Sequence, residues 1–224
     1  MSTPHSKHLI WVDLETTGLD AQNDHILEIA MVITDNDLNV LHETHSIVIN
    51  QSEAVLKKMD PWCMRQHRDL IPLVRASTLS LRACEAFMIR FLQMAGVAHE
   101  RPPMCGNSIH FDHGFLVAHM PKLMKHFHFR IIDVSSVNEL ARRWVPTVAN
   151  SAPRKKYGHR ALDDIRESIE ELRWYRSQWL QRPARILPDI ARTASTSEDQ
   201  DQDQDQDQDQ DQDQDQDQDQ DQEH

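Results

Sequence analysis

The sequence is poor in features that several protein classes need. It has only five glycines among 224 residues, which argues against an all-β barrel or sandwich with many tight turns. Its unbroken apolar runs, such as residues 9–12, are far shorter than the roughly 20 residues of a membrane helix. The first residues also lack the apolar segment of a secretory leader. We therefore expect a soluble, cytoplasmic protein that makes no membrane contact.

Cysteine is also scarce. The three cysteines, Cys63, Cys84 and Cys105, are an odd number and form no CxxC pair. Neither a disulfide framework nor a standard zinc site is therefore predicted. A zinc cluster of Cys105 with His110 and His113 can be imagined, but this spacing matches no common site. Glycine-rich phosphate loops, dinucleotide-binding fingerprints and nucleophile elbows are absent from the sequence.

The formal net charge of −12 comes from the end of the chain. The sequence holds 24 Lys and Arg against 36 Asp and Glu, and 14 of these acids lie at 198–223, where Asp and Gln alternate. Residues 1–197 are slightly positive, at +2. The repeat has no apolar side chain whose burial could offset the entropy of ordering it. It is most simply a solvated extension without a specific role, although a polyanionic decoy or a magnesium-attracting tether is an alternative.

The rest of the chain is predicted to be one α/β domain. Apolar runs that end at turns predict strands first, and apolar residues at helical spacing then predict helices between later strands. Strands are predicted over 9–15, 26–34, 46–50 and 129–134. Helices are predicted from 81 to Gly96, from 111 to Pro121, from a capping box at 136–139, and from 161 to about 182. A mixed central sheet, with an antiparallel meander and parallel strands, should therefore be flanked by helices.

The length of the chain suggests a single core and three segments. The expected segments are a short N-terminal extension at 1–8, the folded domain at 9–182, and a disordered C-terminal extension at 183–224 that holds the Asp-Gln repeat.

Two acids at the end of the first predicted strand are the first candidates for chemistry. Asp13 and Glu15 are two positions apart, so their side chains leave the same face of the strand. A divalent cation would remove their mutual repulsion, and carboxylate oxygens suit magnesium and manganese. Taken alone, the pair is more simply explained as exposed acids at a strand end.

A second candidate group lies near the end of the domain. His159 and Asp164 are five residues apart, which in one regular helix separates their side chains by about 140° around the axis. They converge only if His159 lies in the loop before the helix, where it could take a proton from a metal-bound water. A surface histidine and an acidic first helical turn are the plainer interpretation of this segment alone.

A third acid, Asp112, lies at a predicted helix start between these two groups. With Asp13, Glu15 and Asp164 it makes four carboxylates, enough to neutralise about two divalent cations. A two-metal phosphoryl-transfer site has this charge requirement. Basic residues between 142 and 160, Arg160 among them, could draw phosphates toward such a site, although a solvated basic surface is the favoured interpretation.

At these residues the sequence resembles a known family. Asp-x-Glu in a first strand, a mid-chain Asp and a terminal His-x4-Asp are similar to the DEDDh 3′-to-5′ exonucleases, which have a ribonuclease-H-like fold. Longer segments resemble the oligoribonucleases of that group, over roughly residues 9–180. These segments are WVDLETTGL at 11–19, MDPW at 59–62, QH at 66–67, CGNS at 105–108 and FHFRIIDVS at 127–135.

The resemblance implies that residues 9–182 form an exonuclease domain with two divalent metal ions, Mg²⁺ or Mn²⁺. It implies metal binding by Asp13, Glu15, Asp112 and Asp164, with His159 as the general base. A two-metal mechanism would hydrolyse very short oligoribonucleotides, dinucleotides above all, from the 3′ end to 5′-nucleoside monophosphates.

The resemblance also implies two groups of substrate contacts. One group packs on the bases in a way that tolerates any sequence, and it consists of the wedge residue Leu19 with Trp62 and His67. The other group caps the 5′ phosphate, partly across the interface of a homodimer, and it consists of Ser108, Arg130 and Ser135. Without the resemblance, core packing and a surface ion pair would be the interpretation of these residues.

Two positions depart from the family pattern. Thr16 stands where the family usually has Met, so the wall beside the metals is expected to differ slightly. Phe129 stands where the family usually has Tyr, so the aromatic face remains for substrate contact but a hydroxyl group is missing. Neither change affects an implied metal ligand.

Two other functions remain open from the sequence. One is a DEDDh exonuclease that acts on longer RNA or DNA, in trimming or proofreading. The other is a non-catalytic nucleic-acid-binding dimer, which the complete set of four carboxylates and one histidine disfavours.

Overall fold

A six-stranded mixed sheet organises the structure, a computed structural model that describes residues 6–97, 99, 101–154 and 160–180. Its strands are β1 (His8–Thr16), β2 (Ile26–Asp35), β3 (Val40–Glu43), β4 (Ile47–Val48), β5 (Met104–Gly106) and β6 (Ile131–Asp133). Their order is β3-β2-β1-β5-β6, and β4 also pairs with β2. β1 pairs antiparallel with β2 and parallel with β5, which pairs parallel with β6. The predicted mixed α/β sheet is therefore confirmed.

The helices lie after β4, after β5 and after β6. They are α1 (Glu53–Leu56), α2 (Pro61–Gln66), α3 (Ile71–Ala76), α4 (Leu81–Met94), α5 (His110–His119), α6 (Pro121–Met124), α7 (Val134–Trp144), α8 (Pro146–Asn150) and α9 (Ala161–Tyr175), which continues as a π-helical turn, Arg176–Leu180.

β1 is buried on both faces because helices cover each side of the sheet. Val12 and Leu14 pack with α4 and α5 on one face, whereas Leu9 and Trp11 pack with α9 on the other. Nearly continuous apolar strands are typical of sheets that are covered on both sides. The Trp11 indole N–H donates to Thr34 Oγ1 at 3.1 Å, so its polar group has a partner inside the core.

The helices on the first face follow the sequence pattern closely. α4 begins after Ser80, whose hydroxyl oxygen accepts from the Ala83 N–H at 3.3 Å. Gly96 follows the helix with a φ of +75°, which glycine adopts without strain. α5 ends before Pro121, as the pattern predicts.

Three predicted boundaries are wrong. The strand predicted at 129–134 is shorter, since β6 covers only Ile131–Asp133 and Val134 already belongs to α7. The capping box at 136–139 does not open α7, because the helix begins at Val134 and is capped by Asp133, which accepts from the Ser135 N–H at 3.1 Å. β6 leads into α7 without a loop, so the cap comes from the last strand residue. The strand predicted at 46–50 is reduced to β4, and β3, whose four residues are all exposed and give no apolar pattern, was not predicted.

α9 packs its predicted apolar stripe on the sheet. Ile165 and Ile169 are buried there, and Leu162 and Leu172 are partly buried beside them. The predicted end of this helix near 182 lies outside the described residues. So do residues 1–5 of the predicted N-terminal extension and the whole predicted C-terminal extension, while β1 begins at His8. Within the described part of the chain, no helix has the length and apolar character needed to cross a membrane.

Two glycines offer a test of how closely β5 approaches β1. A Cβ on Gly106 would lie 2.9 Å from the Val12 carbonyl oxygen and 2.9 Å from Ile109 Cδ1, whereas a Cβ on Gly114 would lie 3.9 Å from Ala21 Cβ. We expect Gly106→Ala to lower the free energy of unfolding by about 1–3 kcal/mol through overpacking. Gly114→Ala should raise it by about 0.5–1 kcal/mol, because alanine favours a helix interior.

Urea denaturation of both variants measures these changes against the wild-type chain. Equal stabilities for Gly106→Ala and Gly114→Ala would contradict the close approach of β5 to β1.

Candidate active site

Three carboxylates from distant parts of the chain meet at the carboxyl end of β1. Asp13 and Glu15 lie on β1, and Asp164 lies in the first turn of α9. One oxygen from each lies within 4.8 Å of the other two. β1 supplies two acids to one face because they are two residues apart, and α9 crosses that face of the sheet.

Asp112 lies directly beside this group, although it is not one of the three carboxylates within 4.8 Å. It is buried in the first turn of α5, and its Oδ1 accepts from the Leu14 N–H at 2.9 Å. Leu14 is the residue between Asp13 and Glu15, so this bond ties the fourth acid to the strand that carries the pair. The four predicted metal ligands are thus brought to one region of the fold.

Two of these carboxylates, Glu15 and Asp112, are hard to ionise, chiefly because they are buried. Burial, followed by the charges of Asp164, Glu28 and Asp112, raises the pKa of Glu15 to about 8. Burial also raises the pKa of Asp112 to about 8, against the lowering effect of its backbone hydrogen bonds. A bound cation would lower the cost of ionising these acids, because its positive charge stabilises the carboxylates.

The residues present fit divalent metal ions. Carboxylate oxygens are hard ligands of the kind that magnesium and manganese prefer, and Asp13, Glu15 and Asp164 offer theirs within one small volume. Bound cations would supply electrophilic stabilisation of a phosphate and activation of water. The chain's own contribution is to hold the ligand oxygens together on two rigid elements.

Glu28 is a buried acid at this site that was not predicted. It lies opposite Glu15 in the β1–β2 pairing and is 0% exposed. Its carboxylate accepts from Arg160 Nε at 3.1 Å and from the Ala161 N–H at 2.9 Å. Glu28 therefore satisfies the amino end of α9 and pairs with a cation there. An acid inside the otherwise apolar run 26–33 was the sequence feature that could have revealed it.

Arg160 corrects the expectation of a wholly solvated basic surface. Its guanidinium pairs with the fully buried Glu28 and is itself partly buried. Arg142 and Arg143 do behave as expected, because both are exposed and lie near the exposed Glu139. The predicted general base, His159, lies outside the described residues, and Arg160 is the next residue of the chain.

The predicted base-stacking residues differ in their surroundings. Leu19 is 75% exposed and Trp62 is 51% exposed, so both are available for contact. His67 is only 5% exposed, and its Nδ1 lies 3.4 Å from Glu15 Oε2. The structure therefore places His67 against the carboxylate group, whereas the other two face solvent.

Hydrogen bonds order the loop that presents Leu19. Asp24 accepts from the Thr17 hydroxyl at 2.9 Å and from the Asp20 N–H at 3.0 Å. The Thr17 carbonyl accepts from the Asp60 N–H at 3.0 Å, and Asp60 is the cap of α2, which carries Trp62. The two exposed apolar side chains thus belong to segments that are joined through the backbone.

Two of the three predicted phosphate-cap residues are in contact. The hydroxyl oxygens of Ser108 and Ser135 are 3.1 Å apart, and the Ser108 N–H donates to Ser135 Oγ at 2.9 Å. Arg130 is exposed, and its guanidinium lies over the Phe129 ring at 5.3 Å from the centroid. The His128 ring lies 4.3 Å from the Phe129 ring, centroid to centroid, but Phe129 remains 79% exposed.

A cavity of about 1130 Å³ opens beside Phe129 and Arg130. Its described lining includes Lys7, Arg101 and His128 but no acidic residue. The surroundings of Arg130 are therefore suited to a negatively charged group.

The alternative zinc cluster is not supported by the geometry. Cys105 is fully buried in the sheet, and burial raises the pKa of its thiol well above the ordinary value. His110 is exposed on α5. All three cysteines are free thiols and buried.

Comparisons with known proteins agree on one family. Residues 10–172 match the exonuclease family model RNase_T. The chain is 47% identical to the oligoribonuclease of Actinobacillus pleuropneumoniae over 182 residues, covering 80% of this chain and 98% of that protein. It is 50% identical to the oligoribonuclease of Halorhodospira halophila (79% and 97% covered) and 46% identical to the mitochondrial oligoribonuclease of Mus musculus (77% and 73% covered).

Among solved structures, exonuclease I from Methylocaldum szegediense superposes with a TM-score of 0.61 at 19% identity. The match covers 79% of this chain but only 42% of that protein. A likeness at this identity concerns the fold, which is ribonuclease-H-like.

The raised pKa values predict how stability depends on pH when metal is removed. Glu15 has a folded-state pKa of about 8 against an ordinary value of 4.5, so the folded chain holds a proton that the unfolded chain releases between these values. Its contribution to stability is complete below about pH 4.5 and is lost as the pH rises towards 8. Asp112 acts in the same direction.

With a chelator present, we therefore expect the free energy of unfolding to fall by on the order of a few kcal/mol between pH 5 and pH 8. Glu15→Gln should remove much of this slope, and added Mn²⁺ should restore stability most at the higher pH. Thermal denaturation across the pH series measures both effects. A chelated wild-type chain whose stability is constant over this range would show that the carboxylates are not buried together.

Proposed function

Since the chain belongs to the oligoribonuclease family and is a 3′-to-5′ exoribonuclease that acts on short oligoribonucleotides, we propose that dinucleotides are its preferred substrates. We further propose that it uses two divalent metal ions, Mg²⁺ or Mn²⁺, and releases 5′-nucleoside monophosphates. The observation that carries the metal proposal is the meeting of Asp13, Glu15 and Asp164 within 4.8 Å.

The four acids would have the role of metal ligands. Asp13, Glu15 and Asp164 present oxygens to one volume, and Asp112 is held beside them by its bond to the Leu14 N–H. Four carboxylates carry enough negative charge for two divalent cations. The acids lie on β1, α5 and α9, which are packed elements of the core, so the ligand positions are determined before metal binds.

The exposed apolar residues would bind the bases. Leu19 and Trp62 face solvent on connected segments, and aromatic or apolar contact with a base does not depend on its identity. His67, the third residue of this proposed group, lies beside Glu15. Such contacts suit an enzyme that must accept every short sequence.

A cap on the 5′ phosphate would limit the length of the substrate. Ser108 and Ser135 form a hydroxyl pair, and the Arg130 guanidinium is able to make charge-assisted hydrogen bonds to phosphate oxygens. Phe129 offers a ring face beside Arg130. A far end closed in this way would favour chains of two residues over longer ones.

We also propose that the chain forms a homodimer, as the resemblance implies, and that it acts in the cytoplasm. The exposed ring of Phe129 supports contact with a second copy of the chain at this position. Sedimentation velocity of the purified chain decides its oligomeric state, and cell fractionation decides its location, because mitochondrial relatives are also known.

Hydrolysis of a 5′-labelled dinucleotide tests the proposal most directly. We expect turnover only with Mg²⁺ or Mn²⁺, and faster turnover of the dinucleotide than of a 20-residue RNA. Asp164→Ala should lower kcat by roughly three orders of magnitude, since it removes a metal ligand. Asp163→Ala is a matched control, because this neighbouring acid is exposed and lies 3.4 Å from the exposed residue Arg166.

The outcome also separates the alternatives. Faster hydrolysis of the 20-residue RNA would favour a trimming or proofreading exonuclease over a dinucleotide enzyme. Binding without turnover in Mg²⁺ would favour a non-catalytic nucleic-acid-binding dimer.

The role proposed for His159 predicts the pH dependence of catalysis. A general base must be neutral to accept a proton, so kcat should rise with pH through the range near 6.5 where histidine titrates. His159→Ala should lower kcat by roughly 10²- to 10⁴-fold and remove this rising limb. His42→Ala, on the exposed strand β3, is the control. Full turnover by His159→Ala at pH 7 would eliminate the assignment.

A further inference from the structure

A partly buried hydrogen-bond network connects the proposed phosphate cap to α9. Asn107 lies at its centre, and its side-chain N–H groups donate to Ser168 Oγ at 2.8 Å and to Glu171 Oε2 at 3.1 Å. The Asn107 Oδ1 accepts from the Ser135 hydroxyl at 3.1 Å. Because both amide protons are used on α9, the network determines which way the Asn107 amide faces.

The α9 end of this network reaches a proposed metal ligand. Ser168 is buried, and its hydroxyl donates to the backbone carbonyl of Asp164 one turn earlier, at 2.8 Å. Glu171 is also buried, and its Oε1 accepts from Asn138 Nδ2 on α7 at 2.9 Å. A buried carboxylate binds amide donors more strongly than a neutral acceptor does. Glu171 therefore fastens α7 and Asn107 to the helix that carries Asp164.

The other end of the network reaches Ser108. This residue has a φ of +51°, which a non-glycine residue adopts only when its surroundings hold it there. Its N–H donates to Asp133 Oδ1 at 2.8 Å and to Ser135 Oγ at 2.9 Å. Asn107 fixes Ser135, and Ser135 in turn fixes the backbone of Ser108.

We propose that Asn107 and Glu171 are positioning residues that set the distance between the 5′-phosphate cap and the metal-binding carboxylates. The inference rests on the proposed function, in which Ser108 and Ser135 receive the 5′ phosphate. A fixed distance between cap and metal-binding acids favours the one chain length that reaches both, because a correctly held substrate has less freedom to lose. Asn107 and Glu171 contact neither the substrate nor the metals and act through Ser135 and α9.

The test compares a 5′-phosphorylated dinucleotide with a 5′-phosphorylated pentanucleotide in Mg²⁺. Asn107→Ala and Glu171→Gln should each reduce the dinucleotide-over-pentanucleotide ratio of kcat/KM by roughly tenfold, mainly through a higher KM for the dinucleotide. Glu139→Gln makes the same chemical change at an exposed acid of α7 and should leave the ratio unchanged. Ser168→Ala replaces Asn107→Ala if that variant does not fold.

Calorimetric titration with Mn²⁺ on the same variants distinguishes positioning from general damage. Affinity for Mn²⁺ should equal that of the wild-type chain, since the four carboxylates are unchanged. A wild-type length ratio in both folded variants would overturn the proposal, as would a loss of the ratio that is accompanied by a loss of Mn²⁺ affinity.

A different set of results would show that the proposed 5′-phosphate cap is itself wrong. If the wild-type chain showed no preference for the dinucleotide, or if Ser108→Ala left that preference intact, the cap itself would be wrong and the inference would fail with it. If the cap holds and only the network variants behave as wild type, the proposed function stands and the inference alone is overturned.

Discussion

The desolvation and mutual repulsion of clustered carboxylates are the constraint on which this structure depends. Gathering Asp13, Glu15, Asp112 and Asp164 around the end of β1 costs desolvation and Coulomb energy, as the raised pKa values of Glu15 and Asp112 show. The acids lie on a central strand buried on both faces and in the first turns of two packed helices.

A cationic side chain, Arg160, partly offsets the negative charge of these carboxylates. Burial and the neighbouring acids raise the pKa of Glu15, and Arg160 opposes them. Arg160 is held at the site by its bond to Glu28. Glu28 is a fifth acid, but its charge is used to bind Arg160 and the amino end of α9. The same bonds determine where α9 begins, and Asp164 follows four residues after Arg160.

The features that could be predicted from the sequence are those determined by local spacing. Asp13 and Glu15 share a face because side chains alternate along a strand, and α4 has both its apolar period and its Ser80 cap. The contact of Glu28 with Arg160 spans 132 residues, and no local pattern encodes it. The start of α7 was mispredicted because Asp133 and Ser136 are both good caps, and the choice depends on β6 leading directly into the helix.

The exposed apolar residues Leu19 and Trp62 also lower the stability of the free chain. Burial of a large apolar side chain is worth about 1.5–3 kcal/mol, so Leu19 and Trp62 forgo a substantial stabilisation in the isolated chain. The loop of Leu19 is nevertheless ordered by Asp24 and joined to α2 through Thr17 and Asp60. Exposed apolar groups on a rigid support are costly for folding but favourable for binding, because little freedom is lost when a base covers them. The carboxylates follow the same principle. Their clustered negative charge destabilises the free chain, and the same charge would bind a cation strongly.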